Sequence, residues 1–259
     1  SCVRAENEVA GAPTGGMDQS ASLRCRAGHA LELDCRTGEV EQVPFDLSAA
    51  GLALLVIDTK AEHSLVDGQY GARRAACEKA ARMLGVDLLA DIAPDDLETH
   101  LSRLAEPAGS AGSAGSAEPA EPADRSGADA DELVKRTRHV VTEIDRTRRL
   151  VALLRDSRPL AGPKLEEVGA LMNASHDSLR DDYECSCPEL DMAVAAARKA
   201  GAHGARMTGG GFGGSAIALV DADSADAVAR AVVVAYAEAD FTAPAFLNAI
   251  PSAPAGRLS

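Results

Sequence analysis

The sequence predicts an α+β protein. Short strand-like segments gather before residue 60, and helical periodicities dominate afterwards without regular strand–helix–strand winding. A glycine-dense segment, Met207 to Ser215, then leads into a second group of strand and helix patterns near the C-terminal end. The chain has 259 residues, enough to bury a sizeable core in one large or two modest domains.

In order, Ser1–Val9 reads as a helix already under way with no initiator Met, so the chain is expected to be cut from a larger protein. Gly11–Gly16 is a turn-rich break, and Ala21–Arg26 stays open between helix and strand. His29–Cys35 alternates as a strand does, with Leu31 and Leu33 on one face, and Val40–Val43 offers a second strand. Gly51–Asp58 is a continuous apolar run bounded by turn residues, the pattern of a buried strand.

From Asp67 to Leu84 the spacing becomes helical, with Ala72, Ala76, Ala80, Met83 and Leu84 on one face and Gly85 as the stop. A short helix is expected from Pro94 to Leu104. Residues 106–130 carry Gly-Ser-Ala three times and Glu-Pro-Ala twice, too little apolar surface to offset ordering, and read as a disordered insertion. Helix resumes over Asp131–Arg155, with Leu133, Val140, Ile144, Val151 and Leu154 as the inward stripe. Its many Lys and Arg residues read as a solvated or acid-paired face before an anion site. Helices follow at Leu165–Leu179, Pro188–Ala200 and Ala225–Ala239, with strands at Ser215–Val220 and Phe241–Asn248.

Composition excludes several classes. The net charge of −14, from 40 acidic and 26 basic residues, argues against broad nucleic-acid binding. The six cysteines lack zinc-finger spacing and read as free thiols of a reducing, cytoplasmic compartment. With no apolar run near 18 residues, a membrane span is not expected.

Within Gly209–Gly214, five of six residues are glycine, so the backbone can come very close to another group. Gly209, Gly211 and Gly214 satisfy G-x-G-x-x-G, but they lead into a strand, whereas a dinucleotide fingerprint opens a helix. No Gly-Lys-Ser/Thr follows, so it is not a P-loop. A tight structural turn is the alternative.

Asp18 follows Gly15 and Gly16, where a carboxylate can orient a hydroxyl and accept its proton, or serve as a turn or helix cap. Glu6 is a solvated carboxylate unless a magnesium phosphate complex lies nearby. Tyr70 can hydrogen-bond a sugar and pack against it, or be ordinary half-buried packing. Between Ser175 and Asp191 no hydrolase triad is evident, and His176 reads as a structural helix residue.

Taken together, Ala5-Glu6-Asn7, Gly15–Gln19, Gln69-Tyr70 with Arg73-Arg74 and Cys77-Glu78, Asn173–Asp191 and Met207–Gly214 resemble the galactokinases of the GHMP sugar kinase family. The resemblance covers nearly the whole chain outside 106–130 and implies a GHMP-kinase-like α+β fold. It implies transfer of the ATP γ-phosphoryl to the anomeric hydroxyl of galactose. Asp18 would be the catalytic carboxylate, Gly15, Asp18 and Tyr70 the sugar contacts, Glu6 the Mg2+ ligand, and Gly209, Gly210 and Gly211 neighbours of the transferred phosphoryl.

The family's sugar-binding arginine and Ser-rich phosphate loop have no counterpart here. The resemblance therefore implies a C-terminal portion, with residues 1–50 left from the N-terminal catalytic domain and 51–259 forming the C-terminal domain. Such a piece is expected to be inactive alone and to need the missing N-terminal half for a complete site. A non-catalytic sugar- and nucleotide-binding relative, or a kinase for a related hexose, stays open beside that reading.

Overall fold

The central strand of the molecule is the apolar run after Gly51. In the computed structural model, residues 16–61, 66–106 and 127–256 are described. The helices are α1 (Met17–Arg24), α2 (Val66–Leu84), α3 (Leu97–Ala105), α4 (Gly127–Arg155), α5 (Pro163–Asp181), α6 (Pro188–Lys199) and α7 (Ala225–Glu238). The strands are β1 (His29–Leu33), β2 (Val40–Pro44), β3 (Leu52–Asp58), β4 (Gly204–Thr208), β5 (Ser215–Asp221) and β6 (Ala245–Ala249). The expected α+β class holds.

The first two strands form an antiparallel hairpin in the register His29↔Pro44. The other four make an antiparallel sheet in the order β4-β5-β3-β6, with Asp58↔Ser215 pairing β3 to β5 and Thr208↔Ser215 pairing β4 to β5. An unbroken apolar run suits β3 because both of its faces are covered. Leu55 and Ile57 pack with Leu190 and Val194 of α6 and Val228, Val232 and Tyr236 of α7. Leu52, on the opposite face, packs with Leu165, Val168 and Met172 of α5. Each such Leu or Ile contributes about 1.5–3 kcal/mol by leaving water. A separate apolar cluster joins α2, α3 and α4 through Ala76, Ala80, Leu84, Leu101, Leu104 and Leu133.

Helix α5 lies unusually close to β4. A Cβ on Gly169 would stand 2.0 Å from the carbonyl oxygen of His203, and one on Gly204 would stand 2.6 Å from the carbonyl oxygen of Gly169. This closeness lets α5 side chains reach the outer edge of β4, which among the described residues has no strand beyond it in the sheet. Ala205 donates its N–H to Oδ1 of Asn173 (3.0 Å) and Met207 donates to Nδ1 of His176 (3.2 Å). Residues three apart share a helix face, and alternate strand residues point their N–H groups the same way, so the two spacings match.

Several details differ from the sequence expectation. The open segment 21–26 falls largely within α1. Ala72 is exposed, because the buried face of α2 begins at Ala76. Helix α4 starts at Gly127, four residues before Asp131. Its buried face holds Arg136, Thr137, His139 and Val141, while Val140, Ile144 and Leu154 are half-buried. Arg136 and His139 can occupy that face because Asp182, Glu184 and Ser178 are within hydrogen-bond reach, a feature apolar periodicity does not register.

The basic face of α4 is acid-paired. Arg136, its side chain 3% exposed, pairs with Glu132 (3.1 Å) and Glu184 (2.8 Å), and Arg138 pairs with Asp182 (3.0 Å). Arg149 pairs with Glu167 (3.1 Å) and Arg155 with Glu32 of β1 (2.8 Å). Among the described residues, the cysteines are free and no helix is long and apolar enough to cross a membrane.

Candidate active site

The glycine segment is the hairpin connection between β4 and β5, so it follows one strand and opens another. Both its ends are fixed. Thr59 donates its N–H (3.0 Å) and its hydroxyl (2.6 Å) to the carbonyl oxygen of Gly214. Phe212, held in the left-handed region at φ 58°, donates its N–H to the carbonyl oxygen of Cys185 at 2.7 Å. Gly211 explains why this part of the loop has no side chain. Its φ is 84°, and a Cβ there would lie 2.1 Å from the Cys185 carbonyl oxygen.

Arg73 of α2 ties the loop to its surroundings. Its guanidinium donates to the carbonyl oxygens of Tyr183 (3.2 Å) and Glu184 (2.7 Å), and lies 5.1 Å from the Phe212 ring centroid. That is cation–π distance.

Tyr70, three residues before Arg73, rests its ring on the loop, 3.7 Å from where a Gly210 Cβ would stand. Together they border an open cavity of about 310 Å³, lined also by His139 and Glu143 of α4, Leu179 of α5, and Tyr183 and Cys185 from the turn before α6. The volume suits a small molecule. Tyr70 and Tyr183 have their phenol pKa values raised by burial, so both rings remain neutral hydrogen-bonding groups. Cys185 is pushed up to about 11 by burial and holds no thiolate near pH 7.

The polar groups of the cavity are prearranged. Burial drives the Glu143 carboxyl pKa up, but Arg206, the Ser175 hydroxyl and Arg146 together hold it below its ordinary value. Arg206 (3.1 Å) and Arg146 (2.7 Å) both donate to this carboxylate, as does Ser175. The His139 ring is stacked on Tyr183, with centroids 4.5 Å apart. Burial pushes its pKa down to about 4, against the pull of Glu143, so it is neutral near pH 7. Its Nδ1 lies 3.0 Å from the Ser178 hydroxyl, which itself donates to Oδ2 of Asp182 at 3.0 Å.

The expected site residues divide into three groups. Tyr70, Gly209 and Gly210 meet at the cavity, with Gly211 immediately behind against Cys185. Asp18 sits exposed in the first turn of α1, which contributes no residue to the cavity lining. Glu6 and Gly15, the expected helix over residues 1–10 and residues 107–126 lie outside the described residues.

Glu6, the expected magnesium ligand, is among the residues not described, so the described ones hold at most part of such a site. They contain no group of three or more His, Cys, Asp or Glu side chains able to hold a metal ion, and Asp18 alone does not make one. His176 is structural, as expected: besides accepting from Met207, it places Nε2 3.2 Å from Asp191, off the line a hydrogen bond needs.

Sequence reasoning missed His139, Glu143 and Tyr183. The spacing of His139 and Glu143 by four residues puts both on one face of α4 and was the available signal.

The chain is similar to known proteins in sequence and in fold. Residues 150–238 match the family described as GHMP kinases C terminal. The galactokinase of Streptomyces coelicolor is 49% identical over 257 residues, covering 99% of this chain and 59% of that protein. The Homo sapiens galactokinase is 39% identical over 236 residues, covering 91% of this chain and 52% of that protein. The crystal structure of Lactococcus lactis galactokinase complexed with galactose superposes with a TM-score of 0.81 at 30% identity, covering 98% of this chain and 59% of that one. The chain thus spans 52–59% of the length of these relatives. By sequence and by fold, it is similar to galactokinases and, over residues 150–238, to the GHMP kinases.

Proposed function

We propose that this chain supplies the C-terminal part of an enzyme that transfers the γ-phosphoryl of ATP to the anomeric hydroxyl of galactose. The observation that carries the reading is the meeting of Tyr70 with Gly209 and Gly210 at one cavity, from elements far apart in sequence. The relatives' names, and the galactose complex of one of them, supply the sugar.

In this reading Tyr70 and Gly15 contact galactose, and the glycine loop Gly209–Gly211 borders the transferred phosphoryl. Asp18 orients the attacking hydroxyl and accepts its proton or balances its charge. ATP is the co-substrate, and Glu6 is assigned to Mg2+. Phosphoryl transfer asks a protein mainly for positioning and charge stabilisation, which suits a loop fixed at both ends. Residues 1–50 belong to the catalytic N-terminal domain and 51–259 to the C-terminal domain, in a cytoplasmic enzyme. Because α1 adds nothing to the cavity, the 259-residue chain binds galactose but does not phosphorylate it unaided.

The test pairs a coupled ADP assay with galactose titration followed by NMR. The expected result is no galactose-dependent ADP above an Asp18→Asn control, with a saturable galactose response that Tyr70→Ala weakens by about tenfold, one hydrogen bond with ring packing. Galactose-dependent ADP above that control overturns the inactivity, and an absent galactose response overturns the sugar reading.

A further inference from the structure

His139 is 7% exposed and lines the cavity beneath Tyr70. Its hydrogen bonding fixes where the ring proton sits. A serine hydroxyl has one proton, and Ser178 gives that proton to the Asp182 carboxylate, which can only accept. The Ser178 oxygen can therefore meet Nδ1 of His139 only as an acceptor, so Nδ1 carries the ring proton. In the neutral ring, Nε2 is then a bare lone pair.

Nε2 has no hydrogen-bond partner among the described residues, and it is absent from their sealed, unpartnered side-chain atoms. It therefore keeps some accessible surface, on a ring that lines the cavity. Asp182 is itself held, since Arg138 donates to its Oδ1 at 3.0 Å. The Tyr183 ring stacked at 4.5 Å fixes the imidazole plane. Four side chains, Ser178, Asp182, Arg138 and Tyr183, thus hold the ring and leave one nitrogen unprotonated.

We infer that His139 is a substrate-contacting residue that accepts a hydrogen bond from a hydroxyl of a neutral, polyhydroxylated ligand, with Ser178 and Asp182 as positioning residues that set its tautomer. The chemistry of the cavity selects that ligand class. A second acceptor, Glu143, lines the same space, so at this end of the cavity a sugar hydroxyl finds acceptors for its proton. The rings of Tyr70 and Tyr183 supply the apolar contact that sugar C–H groups need. The assignment rests on the galactose reading above and adds to it the group that reads a hydroxyl beyond Tyr70.

The experiment uses the full 259-residue chain labelled with 15N-histidine, with D-galactose as the probe. Long-range proton–nitrogen correlation is expected to show His139 neutral, with Nδ1 protonated and Nε2 bare. Galactose is expected to move the Nε2 resonance in step with the Tyr70 ring signals. Ser178→Ala is expected to mix the two tautomers and to weaken galactose binding about tenfold while the chain stays folded. A merely structural role for Ser178 would lower the melting temperature without changing the tautomer of the folded protein. A His139 proton on Nε2, or a Tyr70 response to galactose with none at His139, overturns this assignment and leaves the galactose reading standing. Silence at both residues overturns the two together.

Discussion

Met207 donates its backbone N–H to Nδ1 of His176 at 3.2 Å, and this bond closes the outer edge of the sheet two residues before the glycine loop. Edge strands expose unpaired N–H groups, and here a helix side chain stands in for the missing neighbour. His176→Leu keeps the bulk and removes the acceptor. The expected cost is about 1–3 kcal/mol, the penalty for an orphaned buried donor. Urea denaturation measures the loss, and hydrogen exchange should show the Met207 amide deprotected. An unchanged midpoint with full protection contradicts the role.

Gly211 and Gly209 have similar backbone angles but different surroundings. Gly209→Ala meets open space at φ 80° and should lose about 1–2 kcal/mol from the left-handed conformation alone. Gly211→Ala adds a methyl 2.1 Å from the Cys185 carbonyl oxygen and must also break the Phe212 to Cys185 hydrogen bond. Its expected loss is about 3–5 kcal/mol, near the upper end for a single substitution. Equal midpoints for the two variants would show that the loop is free to move away from Cys185.

Arg73 joins two backbone carbonyls to the Phe212 ring, so charge alone should not replace it. Arg73→Ala is expected to cost about 1–3 kcal/mol and to speed exchange of the Phe212 amide. Arg73→Lys should recover less than half of that, since an ammonium lacks the planar fork. Full recovery by lysine, read from the same denaturation curves, argues against the geometry.

Stability should fall with acid before the carboxylates titrate. His139 has a folded pKa of about 4 against an ordinary 6.5, so the unfolded chain takes up a proton there that the native chain refuses. The stabilisation is complete above about pH 6.5 and is lost as pH falls towards 4, by about 3 kcal/mol in total and about 2 kcal/mol between pH 7 and 5. Glu143 is likewise held below its ordinary 4.5, so its contribution disappears at still lower pH. Urea midpoints at pH 7 and 5, for the parent chain and His139→Gln, isolate the effect. A slope that survives the substitution assigns it elsewhere.

Much of this architecture was legible because apolar pattern and burial coincide in it. The run Leu52–Asp58 has both faces covered, and Pro188 opens α6 where a missing N–H costs nothing. The inner face of α4 was misread because Arg136 and His139 are buried on partners that lie outside the helical period, Glu184 and Ser178. The cavity was half visible. Tyr70 and the glycines stood out, but His139, Glu143 and Tyr183 acquire their role only when α4 and the turn after α5 meet the loop. Gly169 was an overlooked signal, since a glycine inside a helical pattern often marks close packing, here against His203 and Gly204.

The sheet order also sets a timetable for folding. Strand β3 is complete by residue 58, yet its hydrogen-bonded neighbours β5 and β6 begin at Ser215 and Ala245. The most apolar strand must therefore wait, through the synthesis of six intervening helices, for partners on both sides. Such distant pairing is slow, because loop closure precedes any reward from contact. During that interval β3 is a bare apolar edge, the feature that most exposes a nascent chain to aggregation. The cluster of α2, α3 and α4 has no such delay, since its helices follow one another and pack locally. Ribosome-bound chains should therefore acquire this helical layer first and remain dependent on chaperones until β6 has emerged.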